Sequence, residues 1–406
     1  MPKPEAVTGT VLVCGDGSMG QLGCGDDVDE KKVPGPIPTL KDIDFCSMES
    51  AYLQTALLVR NKEGESEVIT WGCNDDTAAH ILGRDGPENV PLHVEGLSKK
   101  NIVQIAVGQY HMAALDNKGR LYFWGNYKVD EFIGPTIHEE PTESIMYPKL
   151  HRDVFDYKVA AVASGGNHTC FITENGNLYE FGWTRRDENL PQKILRKNLL
   201  PKRVEPPKGH YTKAVKMAAG HVHTMGLFED EYSGERVVAS WGSNLHGQLG
   251  LGHTNTVEEP TIIPNLPKNI AKMTCGDFHS MVLTEDHKVY AWGRNSYGQC
   301  GVSQPADAKN KDILVPTEVI FPNLGTDYII DIEGGGNHGL ATTFEGKAYA
   351  WGFGTENQLG LNSDDDIVPV PTLLKSNAMQ RFKVSHAFAG SSHSLFFAPK
   401  VNTPAP

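Results

Sequence analysis

Residues 101–125 read NIVQIAVGQYHMAALDNKGRLYFWG. Three short runs rich in β-branched, aromatic and other apolar side chains are separated by Gly108 and by the Asn117-Lys118-Gly119 turn, and none shows the 3.6-residue period of a helix. Two markers in this stretch recur along the chain. One is G-x-x-H, at Gly108/His111, Gly165/His168, Gly220/His223, Gly276/His279, Gly335/His338 and Gly390/His393. The other is an aromatic-Gly pair closing the third run, at Trp71-Gly72, Trp124-Gly125, Phe181-Gly182, Trp241-Gly242, Trp292-Gly293 and Trp351-Gly352, with Cys14-Gly15 as a weaker seventh copy. Successive glycines of these pairs are 51 to 60 residues apart. In four copies the histidine stands 14 residues before the glycine; the others carry the polar insertions Glu229 to Arg236 and Asn61 to Glu67, and beside the latter Gln54 replaces the histidine.

Self-similarity at a fixed period marks a repeat fold. A further short strand around Asn89 to Leu97 gives about four antiparallel strands per unit, the content of a propeller blade. The expectation is an all-β, seven-bladed β-propeller in which residues 1–406 form a single domain. Thr10 to Cys14 lacks preceding G-x-x-H strands, and Gly390 to Phe397 lacks a following aromatic-Gly strand, so one composite blade built from both termini is predicted to close the ring. Residues 399–406 read as a flexible tail.

Composition excludes several classes. Of 406 residues 39% are hydrophobic and 21% charged, too apolar for a disordered chain, and no run approaches the 18 apolar residues of a membrane span. Met1 to Glu5 shows no basic region followed by an apolar stretch, so no secretory signal is expected. Seven cysteines without a C-x-x-C pair fit a reducing compartment and indicate neither a disulfide framework nor a zinc site. A monomer with no cofactor, metal or membrane partner is expected.

Several motifs tempt a chemical reading. Gly15-Asp-Gly17-Ser-Met-Gly20 matches the dinucleotide pattern G-x-G-x-x-G, but "QLGCGDD" follows where a helix would have to begin. The related "GSNLHGQLGLG" and "GRNSYGQCGV" identify it as a repeat loop. The six histidines, one per repeat, are held apart by the ring and read as groups satisfying buried backbone of the next blade. The acidic runs at residues 26–30 and 364–366 lack the geometry of a calcium loop and read as solvated faces. Asn167-His168-Thr169 is a formal glycosylation sequon inside a strand. No Ser/His/Asp or paired-carboxylate constellation is present, so functional positions must lie where the copies differ.

Two copies do differ. After Trp124-Gly125 the usual "GQLG" loop gives way to Asn126-Tyr-Lys128-Val129-Asp130-Glu131-Phe132-Ile133-Gly134, which reads as a charged hairpin either protruding as a wedge with Phe132 and Ile133 at its tip or tucking them back onto the blade. After Phe181-Gly182, residues 184–216 read as a basic inserted loop with ten bases, among them Arg185, Arg186, Lys193, Arg196, Lys197, Lys202 and Arg203, and three acids. The local charge is +7 within a chain of net −13, leaving −20 elsewhere. Such a patch can steer a polyanion or acidic protein to one side, or simply be a solvated loop.

With its "WGxNxxGQLG" copies, the sequence resembles the regulator of chromosome condensation family from Thr10 to about Ala398. Within it, "WGCNDDTAAHILGRDG" (71–86), "WGNYKVDEFIGPT" (124–136) and "WGFGTENQLGLNSDDD" (351–366) look like loops of the exchange factors for the small GTPase Ran. The resemblance implies a nuclear guanine-nucleotide exchange factor without covalent chemistry, releasing GDP by insertion of Lys128 to Gly134 as a wedge. It further implies GTPase contacts at Ser18, Gln109, Asn167, Asp277 and Phe278, and nucleosome or histone contacts through the basic stretch 184–216. Gln109 and Asn167 stand where family members often carry an acid; an amide keeps the hydrogen bond and loses the charge. The remaining alternatives are a non-catalytic scaffold binding a protein or nucleic acid, and an exchange factor for another small GTPase. A plant ultraviolet-receptor-like role fits poorly, since five of the six tryptophans belong to the blade motif.

Overall fold

Every aromatic-Gly pair closes the third strand of a four-stranded antiparallel blade in the computed structural model, which describes residues 1–25, 27–74, 81–128, 132–133, 145–183, 196–305 and 311–400. Blade 3 is built from Ile102–Val107, His111–Asp116, Leu121–Gly125 and Ile145–Leu150. Blade 6 has Ile270–Cys275, His279–Thr284, Val289–Gly293 and Ile313–Glu318, and blades 4, 5 and 7 repeat the pattern. The composite blade is present: His386–Ala389 pairs with His393–Pro399, which pairs with Val7–Asp16 from Gly9↔Pro399 to Gly15↔His393, and Val7–Asp16 pairs outward with Glu30–Pro36. Pro399 therefore belongs to a strand and Lys400 N donates to Thr8 O at 2.8 Å, so these two residues are not part of a tail; the rest of the expected tail, 401–406, lies outside the described residues. Val7–Asp16 also reaches Ile43–Ala51 of blade 2 at Val7↔Phe45, joining blades 1 and 2 in one eight-stranded sheet.

The strand pattern follows from burial. Second strands such as His111–Asp116, His279–Thr284 and His338–Thr343 are buried at every residue because neighbouring blades cover both faces. In each G-x-x-H copy a Cβ on the glycine would lie 2.2–2.3 Å from Cε1 of its own histidine and no more than 2.7 Å from a carbonyl of the next blade. Only glycine admits that approach.

The histidines join blade to blade. His111 Nε2 lies 2.9 Å from Thr169 Oγ1, His168 Nε2 3.0 Å from Thr224 Oγ1, His223 Nε2 2.9 Å from Ser280 Oγ, and His338 Nε2 2.9 Å from Ser394 Oγ. His393 Nε2 meets Ser50 Oγ at 3.0 Å and Thr55 Oγ1 at 3.2 Å, which carries the series from blade 1 back to blade 2. The partner is thus a side-chain hydroxyl one residue past the next blade's histidine position, and not the backbone that the repeat pattern suggests. Ser280 and Ser394 donate their own hydroxyl protons to Gln248 O and Gln358 O, at 2.8 and 2.6 Å, so there the imidazole must donate from Nε2.

Burial holds these rings neutral. It pushes His111, His168, His223 and His338 down to about 3, and His279 and His393 down to about 4. A base whose folded pKa is depressed stabilises the fold fully above its unfolded value near 6.5, and that stability drains away as pH falls toward 3–4, because the unfolded chain takes up the proton first. Each histidine costs up to about 1.4 kcal/mol per pH unit in that window. Urea midpoints measured from pH 7.5 to 5 should fall steeply, and the slope should flatten in the double variant His338→Gln/His393→Gln. An unchanged slope would remove these rings as the acid trigger.

Candidate functional site

Pairing of the second and third strands fixes which loops share a rim. His111 stands opposite Gly125, His168 opposite Gly182 and His279 opposite Gly293, so the G-x-x-H turns and the loops after each aromatic-Gly pair open on the same end of the ring. Ser18, Gln109, Asn167, Asp277 and Phe278 all lie on that rim, distributed over blades 1, 3, 4 and 6. They form a face and not a convergent centre. Ser18 is exposed and holds its own turn, its N and Oγ donating to Asp16 at 3.0 and 2.9 Å. Gln109 Nε2 donates to Tyr110 Oη at 3.0 Å, and Asn167 begins the strand Asn167–Thr173. An axial cavity of about 240 Å³ opens beside them, lined in part by Tyr52, Gln109, His221 and Asp277.

The most built part of the rim surrounds Phe278. His221 lies 5.8 Å from its ring centroid, His246 meets it edge-on at 5.5 Å, and the Arg294 guanidinium stands 5.9 Å away. Burial raises the Asp277 carboxyl, against the pull of His221 and Arg294. His246 is fixed from behind by Asp312, with Nδ1 3.1 Å from Oδ2. Sequence reading names Asp277 and Phe278 but misses His221, His246 and Arg294. Their signal is available, since each is a histidine or arginine at a position that varies between the repeats.

The divergent segment after Trp124-Gly125 is rooted deeply. Tyr127 is fully buried; its Oη lies 2.9 Å from Thr169 Oγ1, and its ring packs against His111, Phe123, Phe181 and Trp183. The backbone then forms a two-stranded hairpin with Tyr127↔Ile133 and Lys128↔Phe132. Phe132 and Ile133 are therefore on the returning strand, not at the tip. Val129, Asp130, Glu131 and Gly134 lie outside the described residues.

The basic stretch is not one loop. Arg185, Arg186 and Lys193 lie outside the described residues, and Arg196 and Lys197 open the 3-10 turn Arg196–Leu199, anchored by buried Leu199. Lys202 and Arg203 occupy Lys202–Val204, the outermost strand of blade 4. Lys213 and Lys216 belong instead to the first strand of blade 5, where Lys213 pairs with Glu231 at 3.7 Å and Lys216 Nζ donates to Ala271 O at 2.6 Å. Closeness in sequence here spans two blades, so the +7 does not mark a single surface.

Comparison with known proteins bears on this arrangement. Residues 10–396 match the RCC1-like domain family, and the chain belongs to it. It is 30% identical to the human Regulator of chromosome condensation, over 95% of this chain and 90% of that protein. The Arabidopsis thaliana Ultraviolet-B receptor UVR8 is 32% identical over 87% of this chain and 76% of its own length. Guanine nucleotide exchange factor SRM1 of Saccharomyces cerevisiae is 25% identical, covering 97% and 88%. Among solved structures, Prp20p of Saccharomyces cerevisiae, described with its binding properties to Gsp1p and histones, superposes with a TM-score of 0.82 at 25% identity, over 98% of this chain and 92% of that one. Relatives of this chain thus include a guanine nucleotide exchange factor and an ultraviolet-B receptor.

Rooting of the hairpin is testable by equilibrium unfolding. Tyr127→Ala should cost about 3–5 kcal/mol, the range for emptying a buried aromatic site, whereas Tyr127→Phe should cost about 1 kcal/mol for the lost hydroxyl bond. Equal small losses would mean that the ring does not carry the hairpin.

Proposed function

We propose that this chain is a nuclear guanine-nucleotide exchange factor for the small GTPase Ran, promoting GDP release by inserting the hairpin Lys128 to Gly134, and that it associates with chromatin. The observation that carries the reading is the hairpin itself. Where the copies in blades 1, 5, 6 and 7 have a tight loop that packs on the next blade, this one pairs Tyr127–Lys128 with Phe132–Ile133 on the proposed GTPase-facing rim, with Tyr127 locking the base into the ring. Family membership, the similarity of the 71–86 and 124–136 segments to exchange-factor loops, and a relative that is itself an exchange factor support the same conclusion.

Such a reaction needs no bond-making residue. A nucleotide held at picomolar affinity represents about 16 kcal/mol, and a partner that prefers the nucleotide-free GTPase weakens the nucleotide by that same differential. An anchored root serves that differential, because Tyr127 and the strand pair above it are ordered before docking. Ser18, Gln109, Asn167, Asp277 and Phe278 then serve as the surrounding docking face. Chromatin association is assigned to Arg185, Arg186, Lys193, Arg196, Lys197, Lys202 and Arg203.

Release of fluorescent GDP from purified Ran, beside a panel of other small GTPases, tests the activity. Ran should respond, and combined alanine substitution of Lys128, Asp130, Phe132 and Ile133 should slow release at least tenfold with an unshifted melting temperature. Acceleration of a different GTPase would reassign the substrate; acceleration of none would leave the scaffold reading. For chromatin, nucleosome affinity should fall with rising salt, and charge reversal at Arg185, Arg186, Arg196 and Lys197 should reduce the slope of that dependence. Indifference to both would remove the contact.

A further inference from the structure

We infer that Arg294 is the rim's receptor for a carboxylate on the docked protein. The guanidinium is held before any partner arrives. Arg294 N donates to Phe278 O at 2.8 Å, Nε donates to Ser296 Oγ at 3.0 Å, and the planar group stands between two aromatic rings, 5.9 Å from the Phe278 centroid and 5.2 Å from that of Tyr297. Two rings and one hydrogen bond leave little freedom to lose on binding, and a planar guanidinium gains more from such a cradle than an ammonium would.

Among the described arginines that are at least partly buried, Arg60, Arg84, Arg120 and Arg294, the first three turn their guanidinium onto a carbonyl or carboxylate of the chain itself, and Arg294 does not. Arg60 and Arg84 give their Nη groups to carbonyls, and Arg120 and Arg236 meet carboxylates at 2.6 Å. Both Nη groups of Arg294 are without a hydrogen-bond or ion-pair partner among the described residues. The nearby acids are otherwise placed: Asp312 is engaged by His246 Nδ1 at 3.1 Å and Asn295 N at 3.3 Å, and Asp277 acts on Arg294 only at longer range. The fork thus presents two parallel donors at a half-buried site, the geometry that a carboxylate fills bidentately. Asp277 beside it favours a singly charged carboxylate over a doubly charged phosphate, whose repulsion by that acid is greater.

This rests on the proposed exchange activity, since the carboxylate is assigned to an Asp or Glu of the GTPase, and the experiment separates the two. Exchange on Ran would be measured against GTPase concentration for the native chain, Arg294→Gln and Arg294→Lys. A hydrogen bond to a charged group contributes about 1.5–3 kcal/mol, so Arg294→Gln should raise the half-saturating concentration at least about tenfold, more than it lowers the rate at saturation. Arg294→Lys should not restore it; full rescue by lysine, or an unchanged half-saturation in Arg294→Gln, overturns the inference. A second readout uses no GTPase: the Arg294 Nε–H resonance should move on titration with N-acetylglutamate, at lower concentration than the resonance of exposed Arg381, and less with inorganic phosphate. If the native chain accelerates no GTPase, the exchange reading falls and the resonance alone decides: a shift confined to Arg294 supports the receptor, and none, or one matched by Arg381, overturns it.

Discussion

The bond from a buried imidazole to the next blade's hydroxyl is the constraint from which most of the ring follows. It fixes the G-x-x-H glycine, because the ring must lie against a backbone that a Cβ would displace. It fixes the tautomer where the hydroxyl passes its own proton to the carbonyl of a loop glutamine, as at Ser280 and Ser394. Gln248 O also accepts the indole proton of Trp292 in the next blade, and loop carbonyls do the same elsewhere: Trp71 Nε1 donates to Gln21 O, Trp124 to Ile81 O and Trp351 to Gln299 O, all four at 2.6–3.1 Å. Histidine, hydroxyl, loop and tryptophan are one accounting of buried polar groups, repeated around the ring.

Departures from the pattern follow the same accounting. Blade 3 carries the hairpin in place of the loop, and blade 4 has Phe181, which brings no indole N–H, where blades 2, 3, 5, 6 and 7 have tryptophan. Blade 4 in turn carries the divergent basic segment, and there Glu180 supplies the missing acceptor, its Oε2 taking the Trp241 Nε1 proton at 2.8 Å. This explains a cluster that looks metal-ligating. His168, Cys170 and Glu180 offer atoms within 4.8 Å of one another, yet His168 is engaged with Thr224, Glu180 with Trp241, and burial raises the Cys170 thiol far out of the thiolate range. Between blades 6 and 7 the hydroxyl position is Gly339, and His279 Nε2 has no partner there. That seam is bridged nearer the axis by Lys272 to Asp331 and Glu333, at 2.7 and 3.0 Å, and by Thr274 Oγ1 donating to Glu333 at 2.5 Å.

The ring is legible in the sequence because its signal is periodic and its motifs are local. Each Trp-Gly and G-x-x-H copy reports the same backbone constraint, and the incomplete units at the two ends point to each other. Partners of the histidines are less legible: Thr169, Thr224 and Ser280 are unremarkable residues until the next blade is placed beside them. The basic run shows the converse failure. Residues 202–216 are contiguous in the chain but run from the outer strand of one blade to the inner strand of the next, so summed charge misstates the surface. Arg294 escapes a sequence reading because its meaning lies in Phe278 and in Tyr297, one across a strand pair and one along its own loop.

Phe181 and Glu180 also bear on which loops carry function. A loop that lost its packing role by drift would leave an unpaired indole or an empty acceptor, at about 1–3 kcal/mol each. Here both debts are settled, one by an aromatic without an N–H and the other by a carboxylate where burial opposes its charge. The described root of the hairpin belongs to the ring as well: Tyr127 shares Thr169 with His111, so that root and the seam between blades 3 and 4 are one hydrogen-bonded unit. A load applied at Tyr127 therefore reaches the seam between blades 3 and 4 through one shared hydroxyl.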